Sequence, residues 1–280
     1  MGLGSIKSAW QRQYKDFGHT NGSKYSCLVF DNRGIGESDK PLIRYSTSEM
    51  AKDTLELLDH VGWTEKRQLH VVGISMGGMI AEELGLLIPS RIASLSLVST
   101  TAALKNTVGF FENLRARINL FVPRPLDTQL NNVAYNLFTD AWLPLPDELE
   151  YTKEPFPTNR DRVMASELSK RLNPNTVTMW SFTAQAMAAG WHHKSPSQIA
   201  ELGDKVGRER IMVAHGGKDR MISFPNGEAL VEMLGGKEKG ITVRFEPEMG
   251  HVIPVEMRKE FNRWLEEIVN KGEDLNVRER

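Results

Sequence analysis

Three side chains in this sequence have the types and settings that acyl-transfer chemistry uses: Ser75 in Val72-Gly73-Ile74-Ser75-Met76-Gly77-Gly78, Asp219 in His215-Gly216-Gly217-Lys218-Asp219, and His251 in Met249-Gly250-His251. A serine hydroxyl is a poor nucleophile until a base removes its proton, and the base needs an acid to fix its tautomer. The glycines around Ser75 match G-x-S-x-G, in which a very sharp strand-to-helix turn holds the hydroxyl out at the strand end. Gly73 and Gly77 leave room where the strand and helix backbones nearly touch. Other residues compete for these roles. Glu246 and Glu248 are alternative acids, His215 is read as structural, and His192 and His193 beside Trp191 either line a pocket or form a satisfied surface pair. His70 is expected to pack, and Asp31 and Arg33 to brace a turn as a charge pair.

The elements that must position these residues follow from periodicity. The apolar run Leu69-His70-Val71-Val72 enters the serine turn as a buried strand would, and Met79-Ile80-Ala81-Glu82-Glu83-Leu84 leaves it with helical spacing. Upstream, residues 9–17 are predicted helical with Trp10 as core anchor, and 25–30 is the first predicted strand. Ser46-Thr47-Ser48-Glu49 reads as a capping box, opening a helix that Gly62 stops. Further strands are predicted at 95–98, 210–214 and 241–245, with helices at 226–234 and 255–269. Strand and helix alternate, so the fold class is α/β, a doubly wound and mostly parallel sheet with its site at the carboxyl ends of the strands. In such a sheet Asp219 and His251, each just past a strand, converge on the edge that carries Ser75.

From about 105 to 207 the alternation stops. Helical spacing (Phe111, Leu114, Ile118; Leu130, Val133, Leu137; Met164, Leu168; Thr176, Met179, Phe182) is broken by proline loops at 123–125, 144–146 and 155–157. The expected organisation is therefore a core of residues 1–104 and 208–270, a helical cap at 105–207, and a frayed polar tail at 271–280. Phe110, Trp142, Trp180, Met187 and Trp191 add to the cap's aromatic and methionine content, most of it expected to form the cap's own core and some to face an apolar substrate.

Composition narrows the function. A formal net charge of −1 with mixed signs gives no electrostatic reason for a nucleic-acid or acidic-membrane partner. One cysteine, Cys27, rules out a disulfide framework within the chain and is expected in the core. No His/Cys/carboxylate cluster has metal-ligand spacing, and no dinucleotide fingerprint opens a helix, so neither metal nor cofactor is expected. Without a membrane span or an apolar leader, the expected compartment is cytoplasmic.

Four motifs in order, Asp31-x-Arg33-Gly34-x-Gly36-x-Ser38, Gly73-x-Ser75-x-Gly77, Asp219 and Gly250-His251, make the chain resemble a cap-bearing alpha/beta-hydrolase of the esterase, epoxide-hydrolase-like and enol-lactonase branch. The resemblance covers residues 1 to about 270. It implies a serine hydrolase acting on a carboxylic ester, a lactone or a related small acyl substrate, with Ser75 as nucleophile, His251 as base and Asp219 as its orienting acid. A serine at the elbow argues against the aspartate-based epoxide hydrolase and dehalogenase chemistries. The family's oxyanion hole implies the Met76 N–H as one donor and, from the loop after its third strand, the Leu3 N–H as the other. The family's sheet order 1-2-4-3-5-6-7-8 has further strands before residue 1, and the expected consequence is a gap between the strands at 25–30 and 69–74 or those two strands forced together. That gap supports an alternative, a non-catalytic ligand-binding protein that keeps the fold.

Overall fold

The structure, a computed structural model, describes residues 1–104, 125–148, 154–173 and 175–279. Four parallel strands form one sheet in the order β1 (Leu69–Ile74), β2 (Ile92–Val98), β3 (Ile211–Gly216) and β4 (Thr242–Glu246). The register pairs Ile74 with Val98, Val98 with Ala214 and Gly216 with Glu246. The carboxyl ends are therefore level, and the residues that follow each strand emerge along one edge. Strands β2 and β3 are buried along their whole length, as apolar runs covered on both faces should be.

Helices cover the two faces. α1 (Thr47–His60) opens on Ser46, whose hydroxyl accepts the Glu49 N–H and donates to the Glu49 carboxylate at 3.1 Å, so only the first half of the expected capping box forms, and Gly62 with φ of 75° follows its end as the stop signal requires. α2 (Met76–Leu87) follows the serine turn, and most of its surface is covered because it lies between neighbours on both sides. Met76, Ile80 and Leu84 meet Met50, Ala51 and Leu58 of α1, whereas Ala81 joins Leu95 and Leu97 of the sheet. On the other face α8 (Arg258–Arg278) buries Phe261, Trp264, Leu265 and Ile268 against Ile74, Val98, Met212 and Ala214. At about 1.5 to 3 kcal/mol for each such side chain, this stripe contributes roughly 6 to 12 kcal/mol before chain entropy is counted.

Within the predicted cap the described helices are α3 (Leu126–Leu137), α4 (Asn159–Leu172), α5 (Met179–Gly190) and α6 (Pro196–Val206). Phe110, Phe111, Leu114 and Ile118 fall outside the described residues. Ala134, Phe138, Leu143 and Val163 form a small core of their own, and Ala184 and Ala188 of α5 reach the cluster under α1 and α2. α6 packs Ile199, Leu202 and Val206 into the main core against β2 and β3, so this last helix of the 105–207 stretch shares the sheet's core. Met179, Trp180, Met187 and Trp191, expected mostly inside the cap, are exposed. A further helix, α7 (Phe224–Met233), lies between β3 and β4 in the chain.

Several sequence expectations are corrected. Residues 25–30 form no strand, because β1 has β2 as its ladder partner and no described strand lies within hydrogen-bonding reach of 25–30. Without a sheet face to cover it, Cys27 is exposed and not a core residue. Arg33 pairs with Asp53, Nη2 to Oδ1 at 2.5 Å, while Asp31 instead accepts the backbone N–H of Lys7 and of Glu37. The tail does not fray: α8 continues to Arg278 because buried Arg210 draws it in, donating to Gly272 O at 2.9 Å and to Asn276 Oδ1 at 2.8 Å. Among the described residues no helix is long and apolar enough to cross a membrane.

Candidate active site

Ser75 ends β1 with φ of 57° and ψ of −125°, a region that side-chain-bearing residues occupy only under constraint. The constraint is close backbone packing. A Cβ on Gly73 would lie 2.2 Å from Gly77 O and 2.8 Å from the Gly78 Cα, so strand and helix can approach this closely only without one. The turn is held by Ser75 N–H donating to Val98 O at 2.9 Å and by the Thr100 hydroxyl donating to Ser75 O at 2.8 Å. Ser75 stays partly accessible, and among the described residues its hydroxyl makes no hydrogen bond, so none joins it to His251. Such catalytic bonds are often long before substrate binds.

Asp219 and His251 come together as expected. His251 Nδ1 lies 2.7 Å from Asp219 Oδ2, and both are buried. The other carboxylate oxygen accepts the backbone N–H groups of Met221 at 2.8 Å and Ile222 at 2.9 Å. Burial opposes ionisation of Asp219, but attraction to His251 and hydrogen bonds from His215 and His251 outweigh it and hold the pKa at about 2. His215 bears on Asp219 too: its Nε2 donates to Ile222 O at 2.8 Å and lies 3.3 Å from Asp219 Oδ2, while its buried Nδ1 has no partner among the described residues. Of the competing acids, Glu248 pairs with Lys218 at the surface and Glu246 ends β4.

The loop carrying His251 is tied to the end of α3. His251 N–H donates to Leu137 O at 3.1 Å, and Glu256 accepts Gly250 N–H at 2.6 Å and Thr139 N–H at 2.5 Å. Burial raises the Glu256 pKa against these hydrogen bonds. Its ionised form is thus the disfavoured one in the fold, and its contribution to stability falls as pH rises through the folded value. Replacing Glu256 with glutamine turns one acceptor into a donor facing an N–H group. The expected cost is about 1 to 3 kcal/mol, read from urea denaturation midpoints.

Of the two implied oxyanion donors, Met76 follows Ser75 directly and Leu3 follows Gly2, which lies against Ser75. Met76 is the first residue of α2, so its N–H has no partner inside the helix. Gly2 sits against Ser75: a Cβ there would be 3.3 Å from the Ser75 Cβ and 3.7 Å from Oγ. Ser5 N–H donates to Gly2 O at 3.2 Å, and Gly4 has φ of 66°, which makes residues 2–5 a turn whose second N–H, that of Leu3, is not used by the turn itself.

Among the groups that sequence reasoning missed are the buried Gln185 and Glu82 and the half-buried Glu256. Glu82 is fully buried on α2, its pKa raised by burial, with Oε2 3.1 Å from His192 Nε2 and Oε1 without a partner among the described residues. His192 is thereby buried and not a surface residue, with Nδ1 2.9 Å from Thr47 Oγ1. A glutamate inside an apolar helical run was the one sign of this cluster. His193 is exposed, and His70 bridges Ser94 and Glu273. Two surface clefts, of about 440 Å³ beside Arg67 and Glu279 and about 270 Å³ beside Arg44 and His192, lie away from Ser75. No group of three or more His, Cys, Asp or Glu among the described residues is arranged to hold a metal ion.

Comparison with known proteins agrees with this architecture. Along 247 residues the chain is 28% identical to the dihydrolipoyllysine-residue acetyltransferase component of the acetoin cleaving system of Cupriavidus necator, covering 86% of this chain and 55% of that protein. It thus spans about half the length of that relative. It is 23% identical to 3-oxoadipate enol-lactonase 2 of Acinetobacter baylyi over 96% of this chain and 86% of the relative. A solved structure of the meta-cleavage product hydrolase of Pseudomonas fluorescens superposes with a TM-score of 0.68 at 18% identity, covering 96% of this chain and 88% of that one. The family model for the alpha/beta hydrolase fold matches residues 2–239. With this sheet, this serine turn and that match, the chain belongs to the alpha/beta hydrolase family.

Proposed function

We propose that this hydrolase-family chain is a serine hydrolase that opens a carboxylic ester, a lactone or a related acyl bond of a small substrate through an acyl-enzyme. The observation that carries the reading is the pairing, on one sheet edge, of a serine at φ of 57° with a buried Asp219–His251 hydrogen bond of 2.7 Å. Asp219 holds the His251 Nδ1 proton and so leaves Nε2 free to accept a proton. His251 takes the Ser75 hydroxyl proton as the oxygen attacks the acyl carbon, and the Met76 and Leu3 N–H groups receive the developing oxyanion. The proton passes to the leaving oxygen. Water, activated by the same imidazole, then releases the acid.

The enol-lactonase and meta-cleavage product hydrolase named among the similar proteins support hydrolysis as the reaction class. The test is labelling of the purified chain with a fluorophosphonate probe, followed by peptide mapping, with Ser75→Ala and His251→Ala as controls. The expected result is an adduct on Ser75 that Ser75→Ala abolishes and His251→Ala slows at least 100-fold. A protein that melts cooperatively yet takes no label overturns the reading in favour of a non-catalytic binder.

A further inference from the structure

Gln185 lies on α5, is 1% exposed, and hydrogen-bonds two loops, the turn at residues 2–5, whose Gly2 sits against Ser75, and the turn that carries Arg33. Its Oε1 accepts the Gly4 N–H at 3.0 Å and its Nε2 donates to Arg33 O at 2.9 Å. The orientation of the amide is forced, since a flipped amide would set N–H against N–H and oxygen against oxygen. Burying an amide is costly unless both ends are satisfied, and here both ends are satisfied by backbone.

The rest of α5 and the strand-like segment before it lie on the same two loops. Gly36 N–H donates to Thr176 O at 2.7 Å, and Ile35 forms an isolated antiparallel bridge with Val177. A Cβ on Gly4 would sit 3.2 Å from the Phe182 ring, so the helix presses directly on the turn at residues 2–5.

We propose that Gln185 is a positioning residue for the oxyanion hole, a cap side chain that fixes the turn presenting the Leu3 N–H to the Ser75 site. This rests on the hydrolase reading above and deepens it. The Gly2–Leu3 peptide plane carries the Leu3 N–H on one side and Gly2 O on the other. The Ser5 bond holds that plane, and Gln185 holds the next plane through Gly4. With both planes fixed, the donor is aimed before substrate arrives, which is where such donors gain their effect. The cap is then part of the catalytic apparatus and not only a cover over it.

The experiment compares wild type with Gln185→Met, which keeps the length and loses both hydrogen bonds, and with Gln185→Glu. Hydrolysis of a short p-nitrophenyl ester is measured from pH 5 to 8, with amide hydrogen exchange on the peptide spanning residues 1–5. For Gln185→Met the expected result is a kcat lower by about 10- to 100-fold with KM within about twofold, and faster exchange at Gly4. The carboxylate of Gln185→Glu cannot donate to Arg33 O, but its protonated form can. Its kcat relative to wild type therefore rises as pH falls with KM unchanged, whereas a role confined to fold stability moves the melting temperature and leaves the kcat of the folded protein unchanged.

Wild-type kcat in Gln185→Met, unchanged Gly4 exchange, or a pH-independent deficit in Gln185→Glu overturns the proposal. If Gln185→Met does not fold, the pH course of Gln185→Glu decides. Hydrogen exchange needs no turnover, so failure of wild-type Ser75 to label removes the hydrolase reading while the exchange result still decides whether Gln185 orders the turn.

Discussion

Replacing Asp219 with asparagine is expected to lower kcat about 10⁴-fold while leaving the protein folded. The reason is the direction of one hydrogen bond. The Met221 and Ile222 N–H groups both point at Oδ1, so the oxygen of an introduced amide must occupy that position. Its NH₂ then faces His251 Nδ1 across 2.7 Å and makes that nitrogen an acceptor. The imidazole proton moves to Nε2, where it cannot take the Ser75 proton. Steady-state hydrolysis of a p-nitrophenyl ester, with a thermal melt to verify folding, measures the effect. Near-wild-type activity in this variant would mean that Asp219 does not orient the base.

The same substitution changes acid stability in a calculable direction. The folded pKa of Asp219 is held at about 2, below its ordinary 3.8, so its ionisation stabilises the fold above 3.8 and that contribution is lost as pH falls through about 2. The substituted amide does not titrate. The melting temperature of wild type should therefore drop more steeply than that of Asp219→Asn between those two pH values.

Gly73→Ala is expected to destabilise the protein by about 3 kcal/mol or more, because the added methyl would lie 2.2 Å from Gly77 O and 2.6 Å from the Gly77 carbonyl carbon. Both atoms are backbone of the first turn of α2 and cannot swing aside as a side-chain end can. Relief requires β1 and α2 to separate, which moves Ser75. Gly190→Ala provides the comparison. It sits at the end of α5 with nothing within 4 Å of the added Cβ, and a change of less than about 1 kcal/mol is expected. Urea denaturation of the two variants tests the contrast, and equal midpoints would contradict this account of the elbow.

The sequence disclosed what local rules govern. Strand, glycine turn and helix around Ser75 were legible because periodicity and the need for residues without Cβ act within about ten positions. The parallel sheet was legible from alternation, and Asp219 and His251 from their places just past strands. Pairing across long separations was not. A strand exists only with a neighbour to bond, which is why 25–30 had the composition of a strand and none of its ladder. Arg33 found Asp53 in α1 and not the nearer Asp31. Gln185 and Gly4 are 181 positions apart, and nothing in either residue type announces the other. The polar tail misled for the same reason, since Gly272 and Asn276 serve Arg210 from across the molecule.

Arg210 also bears on how the chain reaches its fold. Its guanidinium, 2% exposed, takes three of its acceptors from residues 272–279, and the Arg67 backbone oxygen accepts from Asn276 as well. A buried cation without its partners is strongly destabilising. During synthesis, β3 and its preceding turn leave the ribosome before those partners exist, so the growing chain cannot seat Arg210 and close the sheet as it emerges. A chain cut before residue 272 is therefore expected to lose its cooperative melt, because it would bury the Arg210 charge without three of its acceptors.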